Sequence, residues 1–380
     1  MDDSVLSSVH DLHPDAGVKQ YSRVNQSNYL KSILLLRNRQ MKPRIFLSLC
    51  AVAALASMVS LSSVTAGGMV PFQAQGNAPK VSEAEMQALK AIDALSDPAA
   101  KLAAVAEFLK KYPKSAARLQ IAERVADEIT KTKDTAQAIT LAEKAQTIFT
   151  SEPELGIIKG VTLEAYAAGN RADDAFKLAG EILAKNPEDV RTLVQMTFTG
   201  TEEVKKKNPK YAQLSLQYGL KAIELIEANK KPAEASDAQW GSLKATLPQL
   251  YQETAILNLV SGNSAEAKVR LVKSTSLGPT DPSSFALLGL LINDEYIKLA
   301  TTYKAMPESK QKEETLKKLE VLIDSIIDVY AHAAALATGR PEYQPLLQQV
   351  STDLTSYYKF RHNQSVEGLQ QLIDKYKPQP

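Results

Sequence analysis

The sequence predicts an all-α protein assembled from antiparallel helix pairs. Three observations carry that reading. Ala, Leu, Lys, Glu and Gln, which lose little side-chain freedom in a helical turn, are abundant in a chain of 380 residues that holds only 16 Gly. From Ser82 onward, apolar residues and Ala recur three and four positions apart, and no stretch sustains the two-residue alternation of a half-buried strand. Pro, Gly, Asn and Asp interrupt the pattern at intervals of roughly fifteen to thirty residues, the rhythm of short helices folded back on one another.

The N-terminal part reads differently. Met41-Lys42-Pro43-Arg44 is a short basic stretch, followed by an uncharged apolar run from Ile45 to Ala56 and by the small residues around Ala66 and Gly67. Positive start, apolar middle and small-residue end are the order of a secretory signal peptide, so 41–66 is expected to be removed by cleavage after Ala66. Residues 1–40 precede it. Either translation starts at Met41 and 1–40 is a mis-called extension, or the run at 45–64 stays as a membrane anchor behind a short basic cytoplasmic tail. Lipidation at Cys50 is disfavoured, because Leu49 is too large for the usual small residue before such a cysteine. Residues 67–81 lack apolar periodicity and read as a flexible leader.

Helices are expected at 82–95, 98–111, 114–131, 134–149, 154–168, 171–185, 188–206, 209–229, 237–261, 264–275, 282–304, 309–338, 342–361 and 365–376. Ser82 before Glu83 and Glu85, Asp134 before Thr135, and Ser264 before Glu266 each offer an oxygen to unpaired amides or a negative charge to a positive helix end. Pro113, Pro153, Pro187, Pro209, Pro279 and Pro341 fall at the breaks, where a missing amide hydrogen costs nothing. Pro248 implies that 237–261 is kinked or divided. Trp240, in the same stretch, is expected to pack rather than to stack on a ligand.

One spacing is more specific. Tyr251, Ala255, Gly262, Ala267 and Pro279 are followed by Phe285, Leu288 and Gly289, with Phe285 lying 34 positions beyond Tyr251; Pro153 and Pro187 are also 34 apart, and Tyr166 and Ala175 fall in phase with them. Aromatic, small residue, turn glycine, close-packing alanine and proline at this period resemble the tetratricopeptide repeat. The resemblance covers about 154–294 and extends back toward Ser82, where Ala104, Phe108 and Tyr112-Pro113 look like the second helix of a related unit. It implies helix pairs stacked as a superhelical solenoid with a concave groove over 82–304, and a helical cap over 305–380 that shields the last pair from water. Residues 188–240 depart from the period.

In that family the first helix of each pair lines the groove. The positions implied here are Gln249, Gln252, Ile256, Leu259, Ser283, Ala286, Leu290 and Asn293. They are apolar or uncharged, and Gln252 and Ile256 stand where a basic clamp for a peptide carboxylate would need Lys and Asn. The resemblance thus implies an uncharged surface for a peptide or helix of another protein.

Several functions are disfavoured. Seven basic and four acidic residues before position 67 leave 38 and 39 of the chain's 45 and 43, so the remainder has no basic face for nucleic acid. Lys205-Lys206-Lys207 reads as a solvated helix end. The only cysteine, Cys50, lies in the segment expected to be removed, which excludes thiol and disulfide chemistry from a cleaved product. His332 and His362 have no partner at ligand spacing, so no metal is expected, and His332 reads as a hydrogen-bonded structural residue. Asp173-Asp174 and Glu313-Glu314 read as solvated faces, and the Tyr357-Tyr358-Lys359-Phe360-Arg361-His362 run as packing along a helix. No nucleophile elbow, phosphate loop or dinucleotide motif is present. The expectation is a non-enzymatic scaffold without cofactor in the bacterial periplasm or secreted. A membrane-anchored accessory factor for secretion or folding and a self-associating structural protein are the alternatives.

Overall fold

The computed structural model describes residues 81–378 apart from Glu234 and Pro279. The expected extension, signal segment and leader other than Val81, with Cys50, and Pro279, expected to end a repeat, lie outside the described residues. Among those described, fifteen α-helices and one short 3-10 turn make up the regular structure, with no strand. The described residues form two compact units, one of 81–199 and 229–243 and the other of 200–228 and 244–378.

The first unit holds α1 (Glu83–Asp93), α2 (Pro98–Lys111), α3 (Arg118–Lys131), α4 (Thr135–Ile148), α5 (Glu154–Ala168), α6 (Ala172–Lys185) and the larger part of α7 (Val190–Lys205). The caps explain the starts. Ser82 and Glu85 form a reciprocal capping box, the Ser82 amide donating to Glu85 Oε2 at 2.7 Å. Hydrogen bonds from Ser115 and Ser82 hold the Glu85 carboxyl below its ordinary pKa. Asp134 accepts from the amides of Ala136 and Gln137 at 2.9 and 3.2 Å.

The apolar stripes then meet. Leu102, Val105 and Phe108 of α2, Ile121, Val125 and Ile129 of α3 and Ile158 and Val161 of α5 share one core, each side chain contributing roughly 1.5–3 kcal/mol by leaving water. At the start of α3 the Arg118 guanidinium donates from Nε and Nη2 to the two oxygens of Glu154, both at 2.8 Å. That bidentate pair ties α3 to α5 and holds the guanidinium pKa up. Tyr166 of α5 donates to Glu143 Oε1 of α4 at 3.0 Å; burial first, and the bond to the carboxylate second, push its phenol up to about 12.

The second unit holds the end of α7, then α8 (Ala212–Glu227), α10 (Leu247–Val260), α11 (Ser264–Ser276), α12 (Ser283–Ala305), α13 (Lys310–Ala337), the 3-10 turn Pro341–Tyr343, α14 (Gln344–Arg361) and α15 (Leu369–Lys375). Between α8 and α10 in the chain comes α9 (Asp237–Ala245), most of which belongs to the first unit. The expected break at Pro248 is a division: α9 ends at Ala245 and α10 begins at Leu247. Trp240 of α9 is buried and donates from Nε1 to Asn229 Oδ1 at 2.8 Å, so it packs. One cap differs from expectation. Asn263, not Ser264, caps α11, accepting from the Glu266 amide at 3.5 Å.

The principal helix packings join elements no more than two apart in the chain. In the first unit α2 packs on α3 and α4, and α3 on α4 and α5; in the second α8 packs on α10, α11 on α12, and α13 on α14 and α15. Small residues sit where helices approach. Ala142, Ala145, Ala175, Ala255 and Ala267 are completely buried. At Gly289 a Cβ would lie 2.2 Å from a ring carbon of Tyr330 on α13, so only glycine admits that aromatic.

Candidate functional site

The groove positions implied by the repeat pattern fall on α10 and α12, in the second unit. Gln252, Ile256, Ser283, Ala286 and Leu290 are buried, and Gln249, Leu259 and Asn293 are half-buried. Ile256, Ala286 and Leu290 belong to the same apolar core as Leu346, Val350 and Leu354 of α14, and Asn293 accepts a hydrogen bond from Tyr357 of α14. The C-terminal helices thus share a core with this stripe. Gln252 is 1% exposed, and neither amide atom of its side chain is hydrogen-bonded to a described residue, which carries a desolvation cost of about 1–3 kcal/mol.

The lysine run also differs from expectation. The side chains of Lys205 and Glu253 are each 1% exposed, with Nζ 4.0 Å from Glu253 Oε2 and 2.5 Å from Glu202 Oε1. Only Lys206 and Lys207 form the exposed end. Lys205 turns inward because two acidic side chains on α7 and α10 supply the counter-charge that lets an ammonium leave water.

The aromatic run at 357–362 packs. Tyr358 is buried, donates to the Glu367 carbonyl at 2.7 Å and stacks on His362, while Arg361 pairs with Asp324 of α13 at 2.8 Å. His332 corrects the expectation of a hydrogen-bonded histidine. Its ring lies between those of Phe285 and Tyr376, with centroids 4.1 and 4.0 Å away, and its nitrogens make no hydrogen bond to a described residue. Burial lowers its pKa below the ordinary histidine value.

An open cleft of mixed polar and apolar lining lies elsewhere, in the first unit, among α1, α2, α3 and α4. Its volume is about 400 Å³, within the range of roughly 300–1,000 Å³ of ligand-binding cavities. Leu102, Val105, Ile121, Val125, Ile129 and Leu141 form the buried floor, and the half-buried Leu89 and Ile92 of α1 form one wall. Two ion pairs cross between its walls, Arg124 to Asp93 at 2.9 Å and Lys101 to Glu128 at 2.8 Å. The Arg124–Asp93 pair is solvent-exposed and contributes about 0–1 kcal/mol, so an incoming group can displace it, whereas Lys101–Glu128 is part-buried.

This site was missed at the level of sequence. Its floor residues show helical spacing like any core stripe, and nothing in the sequence tells which buried stripe borders a cleft. An exposed apolar pair lies on α11, where Val269 and Val272, three positions apart, are 56% and 48% exposed.

Among the described residues no group of three or more His, Cys, Asp or Glu side chains is arranged to hold a metal ion, and no helix is long and apolar enough to cross a membrane. No protein-family model matches the chain, and no curated protein matches it.

Proposed function

We propose that the chain is a non-catalytic protein-interaction scaffold of the bacterial cell envelope, exported and built as a tetratricopeptide-like helical array. It binds a peptide or helix of another protein, needs no cofactor, and uses the cleft of α1–α4 as the contact site. Packing between helices one and two apart in the chain supports the array, since stacked repeats bury their faces only against neighbours. So do the buried alanines and Gly289 at close approaches.

The observation that carries the binding role is the cleft itself. An aliphatic floor with a displaceable ion pair at its rim suits the apolar anchors of an amphipathic helix, which arrive three or four residues apart. The half-buried Leu89 and Ile92 are the part of the cleft open to such a partner, whereas the α10–α12 stripe is largely buried.

The test is site-specific photo-crosslinking in an export-competent bacterial host, with the crosslinker at Ile92 and, as control, at exposed Val321 of α13. The expected result is a discrete adduct at Ile92 that disappears with Leu89→Glu. Equal adducts at both positions, or none at Ile92, would overturn the reading. A second reading, self-association, draws support from exposed Val269 and Val272 on α11.

A further inference from the structure

We propose that the last helix, α15, is a latch fastened by histidine–tyrosine ring stacking and released when the imidazole of His332 takes up a proton. The chain after α14 reverses sharply. Asn363, Gln364 and Gly368 all have positive φ, and a Cβ at Gly368 would lie 2.8 Å from the Tyr358 hydroxyl. The reversal brings α15 back onto α13, where Leu369, Leu372, Ile373 and Tyr376 pack against the core of the second unit.

Two tyrosines fasten this segment, and each stacks on a histidine. Tyr358 holds the Glu367 carbonyl and stacks on His362; Tyr376 stacks on His332, donates to the Asp328 carboxylate and accepts from Lys375 Nζ at 3.1 Å. The two histidines of the described chain thus both lie at the fastening of its last helix.

Protonation acts on this geometry through His332. A neutral imidazole fits between two ring faces without further partners, but an imidazolium has two N–H donors to satisfy and a charge to hydrate. The charged groups facing it are Asp328 from its own helix, which favours the proton, and Lys375 beside Tyr376, which opposes it; α12 brings the uncharged Phe285. Burial is the largest influence and disfavours the charged form. Separating Tyr376 from the half-buried His332 ring hydrates it further, so proton uptake and release of α15 favour each other.

The experiment is hydrogen exchange of the full chain at about pH 7.5 and about pH 5.5, on either side of the ordinary histidine value of about 6.5, with rates corrected for the intrinsic pH dependence. The expected result is loss of protection over 369–376 at the lower pH, with α12 and α13 unchanged, and no such loss in His332→Phe. Protection that is independent of pH, or lost equally in His332→Phe, or lost together with α12 and α13, would overturn the latch. A second measurement does not depend on how that variant folds. The titration midpoint of the His332 ring protons should rise in Tyr376→Leu, and a midpoint that stays put would also overturn it.

Discussion

Gly289→Ala isolates the contact that sets the distance between α12 and α13. In an exposed helix this change stabilises by about 1 kcal/mol, because alanine loses less backbone freedom than glycine. At Gly289 the new Cβ would lie 2.2, 2.6 and 3.0 Å from three ring carbons of Tyr330. An ordinary contact begins at 3.4 Å, so ring and helix must part by about 1.2 Å, the difference between 3.4 and 2.2. Tyr330 is 1% exposed and cannot swing into solvent. Overpacking of this kind costs about 1–3 kcal/mol; with the upper end set against the propensity gain, the net loss is about 2 kcal/mol. Gly180 supplies the control, since it is an exposed helical glycine with nothing within 4 Å of its added Cβ. Gly180→Ala should therefore raise stability by up to about 1 kcal/mol. Urea unfolding followed by far-UV circular dichroism and by the fluorescence of Trp240, the only tryptophan, reads both variants. Opposite shifts of the two midpoints are expected, with partial recovery when Tyr330→Leu is added to Gly289→Ala. A Gly289→Ala protein as stable as the parent would refute the close-approach argument.

Other outcomes follow from particular contacts. Glu154→Gln removes the acceptor charge of a bidentate pair and should destabilise by about 1.5–3 kcal/mol in denaturant unfolding; no change would mean that Arg118 finds another acceptor. Ser82→Ala breaks the capping box and should cost about 1 kcal/mol, read as faster hydrogen exchange over α1. Tyr166 and Tyr251 are each pushed up to about 12, by burial first and by a bond to Glu143 or Glu227 second. Their folded values exceed the unfolded value of about 10, so the stability they contribute is present below that pH and is lost as pH rises toward 12. Ultraviolet phenolate titration should show these two tyrosines ionising late, and Tyr166→Phe with Tyr251→Phe should flatten the alkaline loss of stability. If α11 mediates self-association, Val269→Lys with Val272→Lys should turn a concentration-dependent sedimentation coefficient into a constant one; a parent protein monomeric at all concentrations would exclude that reading.

Local order was written into the sequence. Helix positions, the division before Pro248 and the caps at Ser82 and Asp134 follow from residue type and spacing, because each depends on a few neighbouring dihedral angles and one or two local hydrogen bonds. The close-packing role of Ala267 and Gly289 was legible for a related reason, since only small side chains let backbones approach.

Which faces meet was not legible. The lysine at 205 reads as a solvated charge until α10 brings Glu253 beside it, and His332 gives no sign of its two aromatic neighbours, 47 positions back at Phe285 and 44 positions on at Tyr376. The α10–α12 stripe and the α1–α4 cleft carry the same helical periodicity. Both are buried, the first in a core shared with α14 and the second as the floor of a cleft whose wall is the half-buried Leu89 and Ile92, and only the tertiary structure separates them. Periodicity marks a face that must leave water, but the element that covers it is chosen by long-range packing, to which spacing along one helix is blind.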